Sequence, residues 1–136
     1  MTRSGVLDTN TVILLERLQP AELPDEPVIT AITLAELSVG PLVTDDSAER
    51  AARQARLQEL ESVFEPLPFD AAAARAFGRV ASSLRRSGRK PAARAFDALI
   101  AATAIANGLA VYTCNPRDYT DIDGLEVVQL RHPDAF

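Results

Sequence analysis

Cysteine and histidine are almost absent: Cys114 and His132 stand alone in a chain of 136 residues. A lone cysteine excludes an internal disulfide and a multi-cysteine metal site, which fits a reducing compartment. The one histidine lies by the tail, so nothing supplies the imidazole that normally activates a thiol, and Cys114 reads as a passive residue. Long apolar runs are also missing. The longest, Ala98 to Ala106, begins just after Asp97 and is too short to cross a bilayer. Val6-Leu7 is cut off by Asp8 before a signal-peptide core can form. These shortages point to one soluble, cytoplasmic domain spanning 1–136, long enough to bury a respectable core.

Positive charge is in short supply overall but not locally. The net charge is −5, which argues against nucleic-acid binding by bulk electrostatics. Between Ala71 and Phe96, however, there is no acid, while Arg75, Arg79, Arg85, Arg86, Arg89, Lys90 and Arg94 give a local charge of +7. The window is either a solvated helix face or one wall of an anion-binding surface.

What is present is a strand–helix alternation punctuated by acids. Gly5-Val6-Leu7 reads as a buried strand that breaks at Asp8 and enters a helix from Thr11 to Leu18. Asp8 is either a helix cap or a site-facing acid at a strand end, where open parallel sheets bind ligands. Val28-Ile29 is a second short strand, followed by a helix from Thr30 to Val39 that stops at Gly40-Pro41. Thr30 and Thr33 both qualify as its cap. If Thr33 serves, Glu36 closes a capping box; if Thr30 serves, the Glu36 carboxylate is available for other work. Ser47 to Glu61 is an amphipathic helix, peripheral or partner-facing, and Val63 to Leu67, interrupted by Pro66 and Pro68, allows only a short edge strand. Asp70 caps a helix with an apolar face through Ala76, Val80 and Leu84, and a loop through Pro91 follows. The helical pattern resumes from Ala93 to Asn107-Gly108 with Asp97 in its first turns, then come strands at Leu109–Tyr112 and Leu125–Leu130 and a frayed tail. Such alternation implies a three-layer α/β/α sandwich with a mainly parallel sheet.

Asp8 and the Thr113–Asp118 loop each follow a strand, while Glu36 and Asp97 sit on helices that start at the same crevice. Two carboxylates about 4 Å apart repel by roughly 4 kcal/mol at an effective dielectric near 20, so such a cluster calls for a cation. Magnesium takes one or two carboxylates, keeps several waters and accommodates phosphate oxygens. The chemistry implied is hydrolysis of a phosphodiester by metal-activated water, with no protein nucleophile. A metal-dependent phosphatase would need a second acid where Asn10 stands.

The segments Val-Leu-Asp-Thr-Asn, Thr-Leu-Ala-Glu-Leu, Phe-Asp-Ala-Leu-Ile-Ala-Ala and Tyr-Thr-Cys-Asn-Pro-Arg-Asp-Tyr resemble, in that order, the four signature segments of PIN-domain ribonucleases. In spacing and length the chain is most similar to VapC toxins of bacterial toxin–antitoxin pairs. The resemblance implies a five-stranded sheet and an endoribonuclease dependent on Mg2+ or Mn2+, with Asp8, Glu36 and Asp97 as metal-holding acids. The fourth position falls to Asn115 or to Asp118, because many relatives have aspartate where Asn115 stands. Thr9 and Thr113 match polar positions beside the acids that could position water or phosphate. A homodimer, a VapB-type antitoxin covering the acidic cleft, and a tRNA, rRNA or mRNA substrate are implied as partners. The arginine-rich window then offers Arg85, Arg86 and Arg89 as an RNA track. A catalytically impaired PIN-fold scaffold that binds RNA or protein is the rival reading.

Overall fold

The computed structural model describes residues 2–90 and 94–135. Four short strands, β1 (Ser4–Leu7), β2 (Glu26–Val28), β3 (Ala110–Thr113) and β4 (Val127–Gln129), form a sheet in the order β2-β1-β3-β4. Every neighbouring pair is parallel. The register aligns Val6 with Val28 and Val111, and Val111 with Val127, so a row of valines crosses the sheet.

Side chains alternate across a strand, and the two faces bury different neighbours. The valine row packs with Ala76, Val80 and Leu84 of α4 (Ala71–Arg86) and with Ala98, Ala101 and Ala102 of α5 (Ala95–Ala106). Leu7 and Tyr112, one residue along, face the opposite side with Val12 of α1 (Thr9–Ile13) and Leu60 of α3 (Ser47–Val63). The sheet is thus covered on both faces, which is what an all-parallel sheet requires. The buried alanines of α5 bring its backbone close to α4 and the sheet, and the helix ends at Gly108 in the left-handed region at φ 66°. Gly5 is fixed by another close approach: a Cβ there would lie 2.2 Å from Cε1 of Tyr112.

The fifth strand is reduced to a single residue. Leu67 N donates to Ile29 O and Ala31 N donates to Leu67 O, making an isolated parallel bridge with Thr30 beyond the end of β2. Pro66 and Pro68 flank it without N–H groups, so the pairing cannot spread, and the described sheet has four strands rather than five. The described part of the tail, through Ala135, is held rather than frayed: Arg17 pairs with Asp134 at 2.5 Å, and Ala135 N closes a turn onto His132 O; Phe136 lies outside the described residues. The expected loop residue Pro91 and the expected helix start at Ala93 lie outside the described residues.

A parallel sheet puts all its strand ends on one edge. Asp8 follows β1, Thr30 follows β2, and Cys114-Asn115 follow β3 there.

Candidate active site

Asp8 is only 4% exposed, and both carboxylate oxygens are fully engaged. Oδ1 accepts from Thr11 N at 3.0 Å and from Thr11 Oγ1 at 2.5 Å. Oδ2 accepts from Thr113 Oγ1 at 2.7 Å and from Tyr119 OH at 3.2 Å. The two alternatives left open by the sequence are therefore compatible, because the carboxylate caps α1 and is also pinned at the end of β1. A carboxylate has about four lone-pair positions, so a cation at Asp8 must displace a donor. The hydroxyl of Thr11 can yield: it also lies 3.2 Å from Tyr112 O and can turn its proton there.

Glu36 lies in the second turn of α2 (Ala31–Val39), and the cap is Thr30, whose Oγ1 accepts from Thr33 N at 3.2 Å. Thr33 is buried and places its own hydroxyl 3.1 Å from that of Thr9. Thr9 Oγ1 donates to Glu36 Oε1 at 2.7 Å, tying the acid of α2 to the residue beside Asp8.

Asp97 sits in the first turn of α5. Its pKa is raised from the ordinary 3.8 to about 6, first by burial and then by the negative charges of Asp118, Asp8 and Glu36; Arg94 works in the opposite direction. The charges of Asp118, Asp8 and Glu36 are thus near enough to be felt at Asp97. Asp118, expected among the metal-holding acids, has Oδ1 engaged by Arg94 Nη1. Asn115 stands exposed at the rim. Its backbone is committed, accepting from Asp118 N and donating to Thr113 Oγ1.

Cys114 is half-buried, and its thiol is held above the usual range by burial and by Asp8 and Glu22, as suits a bystander. Tyr119 is buried, with its hydroxyl proton held by burial and by the adjacent Asp8. Neither Tyr119 nor Arg94 was picked out as a site residue from the sequence, and the contacts of Tyr119 with Asp8 and of Arg94 with Asp118 are tertiary.

The expected RNA track is altered by ion pairs. Arg86 binds Asp123 at 2.6 Å and Arg89 binds Asp121 at 3.0 Å, whereas Arg85 is exposed. Beside Glu36 the cleft is instead walled by Arg53 and Arg56 of α3, together with Thr9 and Asn10.

Residues 6–125 match the PIN domain family. A protein from Mycobacterium tuberculosis (strain ATCC 25618 / H37Rv) named Ribonuclease VapC5 is 38% identical over 130 residues, covering 93% of each chain. This chain belongs to the VapC family of PIN-domain proteins. Another relative, the tRNA(fMet)-specific endonuclease VapC of Shigella flexneri, is 31% identical over 127 residues, covering 88% of this chain and 92% of its own. Among solved structures, VapBC-5 of the VapBC family of toxin–antitoxin systems from M. tuberculosis superposes with TM-score 0.81 at 36% identity, over 93% of this chain and 98% of that one. DNA-bound VapBC from Salmonella typhimurium follows with TM-score 0.74 at 29% identity, over 93% and 97%.

Magnesium is the group such a fold implies, and the side chains test whether it fits. Among the described residues no three acidic, histidine or cysteine side chains form a ready-made cage. The donors available are hard oxygens around a poorly compensated negative field, with a hydroxyl that can turn away from Asp8. That suits an ion which keeps most of its waters and takes few protein ligands.

Proposed function

We propose that the protein is the ribonuclease toxin of a toxin–antitoxin pair, cleaving RNA phosphodiesters with the help of Mg2+ or Mn2+. The observation that carries this reading is the buried Asp8 carboxylate at the end of β1, held by the hydroxyls of Thr11, Thr113 and Tyr119, with Glu36 tied through Thr9 to the residue beside it. Family membership supplies the reaction class, since the relatives are named ribonucleases and endonucleases.

Asp8, Glu36 and Asp97 would hold the ion, which when bound polarises the phosphodiester and makes water a nucleophile near neutral pH. The chain's own residues prepare that place. Thr11, Thr113 and Tyr119 fix the plane of the Asp8 carboxylate, and Thr9 holds one oxygen of Glu36. Such preorganisation spares the reacting complex the reorientation of its acids. Asn115 and Arg56 on the cleft rim are placed for RNA, a single-stranded loop suiting an open cleft better than a duplex.

The relatives' complexes support a VapB-type antitoxin as partner, and a homodimer is the assembly we propose for the toxin itself. The exposed apolar residues Val39, at the end of α2, and Leu42 and Val43, in the link to α3, are available for such contacts at 51%, 81% and 69% exposure.

Incubating the purified chain with total cellular RNA tests the reaction. Cleavage is expected with Mg2+ or Mn2+, none with EDTA, and none from Asp97→Asn under any condition. Full cleavage in EDTA, or by the variant, would remove the assignment.

A further inference from the structure

Asn10, Asn115 and His132, from three separate segments of the chain, line one small cavity of about 220 Å3 together with Ile13, Leu14 and Cys114. It lies beside the acids. Asn10 is two residues beyond Asp8, in the first turn of α1, and Thr113 Oγ1 donates to Asp8 Oδ2 while accepting from Asn115 N at 2.9 Å. One hydroxyl thus ties the cavity wall to the buried carboxylate. His132 arrives from the opposite end of the chain. Its Nδ1 accepts from Asp134 N at 3.1 Å, and Asp134 is the residue paired with Arg17, so the anchored tail holds the imidazole at the cavity.

The cavity is the middle one of three in a row. A larger one beside Glu36 shares Asn10 and Ile13 with it, and another along the tail shares Cys114 and His132. Arg56 lines the first and Arg131 the second, and neither is in an ion pair among the described residues. A single strand of RNA laid along this row meets a cation for its backbone on each flank and a pocket between them.

The middle cavity is smaller than the about 300–1,000 Å3 of a site for a drug-sized ligand, and one flat heterocycle is what suits it. Ile13 and Leu14 offer apolar surface, and an imidazole is a stacking partner for an unpaired base. Asn115 commits its backbone N–H and C=O, but the side-chain amides of Asn10 and Asn115 make no hydrogen bond among the described residues. Each amide presents a donor beside an acceptor, which matches a base edge bearing the same pair. Adenine and guanine each carry two separate edges of that kind, so one purine can engage both amides. A pyrimidine has only one.

We propose that this cavity is a specificity pocket for one unpaired purine of the RNA beside the bond being cut, with Asn10 and Asn115 reading its edges and His132 stacking on its face. The proposal rests on the ribonuclease reading given above and names the part of the substrate that the chain recognises. Duplex RNA is shut out, because pairing hides one edge of the base and stacking hides its face.

Anisotropy of fluorescein-labelled RNA hexamers with the purified full-length chain in EDTA tests the pocket apart from cleavage. The hexamers are all-uridine, or uridine with a single adenosine or guanosine inside. Wild type is expected to bind the purine-containing hexamers about tenfold more tightly than all-uridine, the discrimination a bidentate amide contact supplies. Asn10→Ala and Asn115→Ala should each cut that ratio to about threefold or less. His132→Ala should weaken the purine hexamers by about tenfold, and His132→Phe, which keeps a stacking ring, should restore them. Circular dichroism melts check the fold, with Asn10→Ser and Asn115→Ser in reserve should an alanine variant lose it. Equal affinity for all the hexamers in wild type, or an unchanged ratio in both amide variants, would overturn the proposal. Cleavage with Mg2+ by a chain without purine preference removes the pocket and leaves the ribonuclease reading standing, whereas the preference in a chain that cuts nothing does the reverse.

Discussion

Replacing Asp97 by asparagine should make the metal-free protein more stable while abolishing cleavage. The ionised carboxylate is disfavoured in the fold, its pKa being raised from 3.8 to about 6 by burial and by the facing acids. A raised carboxyl pKa means that the folded state holds its proton where the unfolded state has released it. Stability therefore declines as pH climbs from about 4 to about 6, and the full penalty is present above that window. Two units correspond to about 3 kcal/mol before correction. Asp97 is only half-buried, so solvent screening reduces this to about 1 kcal/mol. In a chain of this size that is about 3–5 °C of melting temperature. Thermal melts of wild type and Asp97→Asn in EDTA, from pH 4 to pH 8, measure it by difference, so the other titrating groups largely cancel. The variant should be the more stable protein at pH 7.5, and the gap should close towards pH 4. Added Mg2+ should stabilise the wild type and leave the variant almost unmoved. A gap that is absent at pH 7.5, or equal at every pH, would refute the idea that Asp97 sits in an uncompensated negative field.

Asp8→Ala should do more than remove an acid. It strands Tyr119 OH and the N–H of Thr11, so unfolding in urea should show a loss of about 2–4 kcal/mol, with Asp8→Asn losing less. Gly5→Ala drives a methyl into the Tyr112 ring and should lower stability by about 1–3 kcal/mol in the same assay, without touching any acid. For RNA, Arg85→Gln should weaken binding and reduce the salt dependence by about one counter-ion in fluorescence anisotropy. Arg86→Gln and Arg89→Gln should alter that slope less, because Asp123 and Asp121 already occupy those guanidiniums.

The strand–acid–helix logic was legible because it is local. Val6-Leu7-Asp8 and Val111-Tyr112-Thr113 read as buried strands ending at polar residues, and the parallel sheet follows from their alternation with helices. The choice between Thr30 and Thr33 was not legible, since both are good caps and only the packing of Thr33 against Thr9 separates them. Tyr119 was invisible for a different reason: its partner Asp8 is 111 residues away, and a tyrosine after a turn reads as ordinary core. The arginine window was legible as charge, but its ion pairs were not. Its partners Asp118, Asp121 and Asp123 belong to the segment after β3, and pairs between segments so far apart in the chain leave no periodic trace in either.

The one-residue fifth strand has a consequence for life at high concentration. Both backbone hydrogen-bonding groups of Leu67 are turned inward to Ile29 and Ala31, and the prolines on either side have no N–H to offer. A stray strand from another molecule approaching Leu67 would meet no ladder to extend, so this border of the sheet is guarded against edge-to-edge stacking.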